Sequence, residues 1–229
     1  MINLKYLILI LLVFSCANAN TKMPNNNSNI QTKNNMQNKY TLNSKTEKFD
    51  IANLEKNGDA IKMGDTFSYQ YMTKSDSTVI IYEGNKIYGY STHIFYNNDY
   101  FRILKRYYPN GMIKDKGWLY NNSATKRGIW HEYTENGTLS KTINYDELTA
   151  FTFEDIFRFC TLENIPLEKG YLAPSSSNQT TINRYFDEET STWKWYIGYL
   201  KDINIMEDIR LDGQTGKVLS REEKEFHNS

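Results

Sequence analysis

The stretch "YYPNGMIKDKGWLYNNSATKRGIWHEYTENGTLSKTINY", residues 107–145, decides the architecture. It makes one statement twice. "PNGMI" and "ENGTL" are both Asn-Gly turns followed by a hydrophobic residue, and each is bracketed by aromatic strands. Pro109 sets φ for its turn, and Gly111 tolerates the positive φ that a tight reversal needs. Short turns between successive strands predict antiparallel neighbours.

The same texture extends towards the N-terminus. The chain carries 18 tyrosines and 11 phenylalanines, residue types that fit a pleated surface. In "TFSYQYM", Phe67, Tyr69 and Tyr71 fall on one face at the two-residue period of a strand. "TVIIY", "KIYGYSTHIFY" and "YFRILKRYY" continue the pattern, with turns expected at "TKSDS", at "EGN" (residues 83–85) and at "NND". The pattern predicts about seven strands between Phe67 and Tyr145. Gly111 and Gly137 lie 26 residues apart, and aligning them brings Tyr107 onto Tyr133 and Ile113 onto Leu139. Gly84 and Gly58 extend the spacing by 27 and 26 residues, on weaker flanks. Such a period marks stacked supersecondary units sharing a core.

These residues resemble the MORN-variant repeats of bacterial antitoxin-like proteins. Gly128, Trp130, Tyr133, Asn136, Gly137 and Leu139 carry the match in one copy; Tyr108, Asn110, Gly111 and Ile113 carry it in the other. The resemblance implies stacked β-hairpins and protein contact. Trp118, Trp130, Tyr133 and Tyr107 are the candidate partner-contact residues, because aromatics suit protein or glycan surfaces; the alternative is that they bury the sheet's inner face.

Near Leu148 the pattern changes. Phe153, Ile156, Phe157 and Cys160 are spaced as a helix stripe, with Thr152 and Asp155 as a capping box and Pro166 as a stop. "TTINRYF", "WKWYIGYL" and "INIMEDIRL" follow as strands, and "DGQTG" turns the chain into "KVLS". Asp212, Thr215, Gly216, Val218 and Leu219 resemble the end of PepSY-like domains, modules implied to bind or restrain other proteins without catalytic residues. The expected fold class is α+β: a mainly antiparallel β meander of repeated hairpins, then a helix packed on a small antiparallel sheet.

The N-terminus opens "MINLKYLILILLVFSC". The apolar run at residues 6–14 has the length of a signal-peptide core and is shorter than a bilayer span of about 20 residues. Ser15 before Cys16 resembles a bacterial lipobox, which implies cleavage before Cys16 and lipidation of its thiol. An ordinary secretory signal cut near "ANAN" is the alternative. Ala17 is not the Asp that retains lipoproteins at the inner membrane of enteric bacteria, which points to the periplasmic side of the outer membrane. Residues 17–48 are Asn-rich with little to bury, a composition that predicts a disordered tether. The expected divisions are therefore 1–15 signal peptide, 16–48 lipidated cysteine and tether, 49–147 repeat region and 148–229 PepSY-like unit.

Net charge is zero with no Lys/Arg block, which leaves nucleic-acid binding without electrostatic support. With Cys16 lipidated, Cys160 has no partner, and three scattered histidines have no metal spacing. A Cys160 nucleophile with His93 or His131 is conceivable, but Cys160 sits on the apolar stripe. Glu154 with Asp155, and Glu132 with Glu135, read as first-turn and turn-flanking acids rather than glycosidase pairs. "DEET", residues 187–190, reads as a hairpin turn rather than a calcium loop. The expectation is a lipid-anchored envelope protein that binds an unidentified protein partner, with no cofactor, metal or catalytic residue. An immunity protein that neutralises a toxin is the alternative, and an envelope hydrolase stands behind both.

Overall fold

The computed structural model describes residues 39–64, 66–173 and 179–225. Two antiparallel sheets dominate. The first has eight strands in chain order: β1 (Asp59–Met63), β2 (Thr66–Lys74), β3 (Thr78–Asn85), β4 (Gly89–Tyr96), β5 (Phe101–Tyr107), β6 (Ile113–Tyr120), β7 (Lys126–Tyr133) and β8 (Leu139–Asn144). The second orders β12 (Val218–Glu225), β11 (Ile205–Asp212), β10 (Thr192–Asp202) and β9 (Thr181–Asp187). A short helix α1 (Ile51–Asn57) precedes the meander. A 3-10 turn (Tyr145–Leu148) and helix α2 (Phe153–Leu162) join the sheets.

The repeated turns behave alike. Gly111 and Gly137 have φ of 82° and 85°, and the amide of each closes its turn onto Tyr108 O and Thr134 O at 2.8 Å. The two earlier glycines do not share this role. Gly58 caps α1 in an extended conformation, and Gly84 lies inside β3. The reversal expected at residues 83–85 falls at residues 86–88 instead. Asn85 Oδ1 accepts from the amides of Ile87 and Tyr88, both at 2.9 Å, and this side-chain turn displaces the predicted one.

Register sorts the side chains. Tyr71 opposes Tyr82, Tyr90 opposes Tyr107, Ile103 opposes Trp118 and Phe101 opposes Tyr120. Opposed residues share a face, so one face of the large sheet carries an aromatic ladder in two stretches. It is covered in two parts. Phe49 and Leu54 cover the Tyr90–Tyr107–Ile113–Tyr133 end. Tyr40, α2 and the second sheet complete the other end, where Phe101, Trp118 and Tyr120 share a core with Phe153, Ile156, Cys160, Trp195, Ile197, Ile209 and Leu211. That core crosses the division expected at residues 147–148.

Between the two ends lies a polar belt. Lys105 and Lys116 oppose each other across β5 and β6, an arrangement that repels. Glu47 reaches both ammonium groups, with Lys116 Nζ at 2.5 Å. Residues 39–48 are therefore not a tether. They cross the ladder as a strap: the Tyr40 ring lies 4.9 Å from Phe101, His131 Nε2–H donates to Leu42 O at 2.9 Å, and Lys116 Nζ donates to Lys45 O at 2.7 Å. Ile113 N then donates to Glu47 O at 3.0 Å. The composition that predicts disorder is outweighed by Tyr40, Glu47 and Phe49, which a prefolded sheet can engage. Cys16 and the rest of the leader lie outside the described residues.

α2 follows its expected chemistry. Thr152 and Asp155 form the reciprocal capping box, Phe153, Ile156 and Cys160 are buried, and the helix ends at Leu162. Asn164 adopts φ 57° just beyond it, so the helix stops before Pro166.

Candidate functional site

The four aromatic residues expected to face a partner are all buried. Tyr107 packs under Phe49, with ring centres 5.0 Å apart, and Tyr133 belongs to the same cluster. Trp118 meets Tyr40 edge-on at 5.2 Å and stacks with Tyr96 at 5.8 Å. Trp130 points to the opposite face, joins Leu104 and Leu119, and donates Nε1–H to Trp118 O at 3.1 Å. Gly117 makes room for that indole, since a Cβ there would overlap the ring. These side chains build the sheet's interior. The periodicity that placed them on strands carried no information about which face would be covered.

The groups considered for catalysis are engaged in structure. Cys160 is fully buried and burial pushes its thiol up to about 12. His131 sits between Thr142 Oγ1, at 3.2 Å, and Leu42 O. His93 lies 3.1 Å from Glu83, which also accepts from Ser91 and Gln70. The His93 contact, opposed by burial and aided by Ser91, holds the Glu83 carboxyl below its ordinary value. Glu154 pairs with Arg127, whose guanidinium also lies 3.9 Å from the Tyr40 ring centre, while Asp155 serves the capping box. Among the described residues no His, Cys, Asp and Glu cluster could hold a metal. No helix among them is long and apolar enough to cross a membrane.

A different set of residues converges where the two sheets meet. The loop between β6 and β7 docks on the outer edge of β9: Ser123 Oγ and Thr125 Oγ1 both donate to Ile182 O, at 2.7 and 3.0 Å, and Arg184 N donates to Thr125 Oγ1 at 3.3 Å. These side chains satisfy an edge strand that would otherwise expose its backbone groups. Beside this contact opens a cleft of about 630 Å³. Lys126 and Tyr145 line it from the large sheet and the turn after it, and Arg184, Tyr185, Trp193, Tyr196 and Arg210 line it from the small sheet.

The cleft is aromatic and cationic. Lys126 Nζ donates to Tyr145 Oη at 2.9 Å and lies 4.3 Å from the Trp130 ring centre. Arg184 donates to Lys126 O at 2.8 Å and stacks 5.2 Å from Trp195. Loss of surrounding water pulls its guanidinium down to about 10, against the nearby Asp146 carboxylate. Among the described residues neither Lys126 nor Arg184 forms an ion pair. Arg210 is compensated by Glu222 at 2.7 Å. The site joins residues from 124 to 210, and no local motif announces it. "TTINRYF" and "WKWYIGYL" read as strands from the sequence, but nothing local shows the docking of the 121–125 loop that places the cleft beside them.

Comparison of the chain with family models, curated proteins and solved structures finds no match.

Proposed function

We propose that the protein is a lipid-anchored cell-envelope binding protein that engages a protein partner without catalysing a reaction. In this reading Cys16 carries the lipid, the protein faces the periplasm from the outer membrane, and the eight-stranded meander is a stack of MORN-type hairpins. Helix α2 laid on the small sheet forms the PepSY-like unit. The contact surface is not the aromatic ladder, which is spent on the core. It centres on the junction cleft, where half-buried Tyr185, Trp193 and Tyr196 stand near Lys126 and Arg184, neither of which is ion-paired among the described residues. That cleft is the observation that carries the reading, because large aromatics and Arg at a concave junction are the groups that dominate recognition sites.

Crosslinked pull-down of the full chain from envelope fractions tests it. A specific protein should be recovered, and substitution of Tyr196→Ala should reduce its yield; recovery of nothing above background sinks the binding reading. A toxin as the captured partner would identify an immunity role. Cys16→Ser should release the protein from membranes, and continued membrane association would remove lipidation as the anchor.

A further inference from the structure

Lys126 and Arg184 pose a physical problem. A guanidinium stripped of water is costly unless an anion or a set of acceptors replaces the lost hydration. Among the described residues Arg184 has one acceptor, Lys126 O, and one ring, Trp195. Lys126 has one neutral acceptor, Tyr145 Oη, and two rings, with Nζ 4.3 Å from Trp130 and 4.7 Å from Tyr145. Both open on the same cleft, and among the described residues that cleft has no acidic lining residue. Its lining also includes the rings of Tyr185, Trp193 and Tyr196.

From this geometry we infer that the junction cleft binds an aromatic carboxylate, its anionic group between Lys126 and Arg184 and its ring against Trp193, which shares a face of the small sheet with Arg184. A guanidinium offers paired donors that match a carboxylate's two oxygens. The charges nearby favour one negative charge over two. Arg210 is already paired with Glu222, Asp208 accepts from Tyr196 Oη at 2.6 Å and pairs with Lys224, and Asp146 lies close enough to act on Arg184. A phosphate dianion would meet these acids with little positive charge left to hold it. The carboxylate can belong to the C-terminal residue of a peptide or to a free acid.

This inference rests on the binding reading above and names the ligand chemistry of the same site. Isothermal titration of the full chain in detergent micelles tests it with N-acetylphenylalanine, phenylacetate and N-acetylphenylalanine amide. Binding of both acids, with the amide silent, is expected. N-acetylphenylalanine alone assigns the site to a peptide terminus, and phenylacetate alone assigns it to a free acid. Lys126→Gln should weaken binding about tenfold, the loss expected for one charged contact, whereas Lys141→Gln, exposed on β8, should not. Arg184→Lys tests the paired geometry while keeping the charge and should also weaken the acids. Equal binding of acid and amide, no binding of either acid, or an unchanged affinity in Lys126→Gln overturns the inference. Should a partner still be captured from envelopes after such an outcome, the binding reading survives and only the ligand assignment falls.

Discussion

Lys116, whose side chain is 1% exposed, ends 2.5 Å from the Glu47 carboxylate. The pair ties a strap near the N-terminus to the centre of the large sheet. It also neutralises the Lys105–Lys116 opposition that strand pairing alone creates. Removing one member of a buried pair leaves an uncompensated charge. Glu47→Gln should therefore lower stability by about 3 kcal/mol, measured by urea unfolding at neutral pH. A change near the size of an ordinary surface pair, below about 0.5 kcal/mol, would show that the strap is not held by this contact.

The same carboxylate sets an acid limit. Burial pushes the Glu47 carboxyl up, but Lys105 and Lys116 outweigh it and hold it below its ordinary value of 4.5. A group depressed in the folded state contributes stability that is fully present above the unfolded value and is lost as pH falls through the folded one. Wild-type stability should drop as pH falls below about 4.5. In Glu47→Gln that slope should be shallower; identical slopes in the two proteins would contradict the assignment.

Tyr40 offers a second test of the strap. Its ring contacts Phe101 and Trp118, and the Arg127 guanidinium lies over it. Tyr40→Ala should cost about 3 kcal/mol, in the range for truncating a buried aromatic, and should expose the segment around residues 39–48 to protease. A tether residue would tolerate the change without any shift in Tm.

Gly117→Ala would drive a methyl into the Trp130 indole, which is completely buried and has nowhere to move. The expected loss is about 1–3 kcal/mol, seen as a lower thermal midpoint and altered Trp fluorescence. A silent substitution would mean that Trp130 is free to shift away from β6.

The Cys160 thiol should stay unreactive in the folded protein. It is fully buried and its pKa lies near 12, far above the neutral range where a thiolate nucleophile is formed. A thiol-specific chromogenic reagent at pH 8 should label it only after denaturant is added. Rapid labelling of the native chain would reopen the nucleophile question.

Particular elements show where local information sufficed. The Asn-Gly turns at Gly111 and Gly137, the Thr152–Asp155 box and the Asp212 turn are each decided by a few adjacent residues. Asp212 Oδ1, for instance, accepts from both the amide and the hydroxyl of Thr215, at 2.8 Å each. The turn at residues 86–88 was misplaced by a few positions because Gly84 resembles a turn residue, while Asn85 supplies the actual capping oxygen. The strap was missed because Asn-rich composition averages over the few residues that matter. The contact aromatics were misjudged because alternation fixes that residues share a face, not whether anything will cover it.

From its amino acids alone the chain determines the antiparallel meander, the helix with its cap and the closing hairpins, since these follow from turn chemistry and two- or 3.6-residue periods over short distances. Tertiary structure alone decides that Tyr40, Glu47 and Phe49 return to the sheet, that the aromatic ladder becomes interior, and that Lys126 meets Arg184 across a cleft. Those outcomes depend on contacts between residues far apart in the chain, 58 positions in both Lys105–Glu47 and Lys126–Arg184. Their free energy comes from burying surfaces that exist only once both partners have folded.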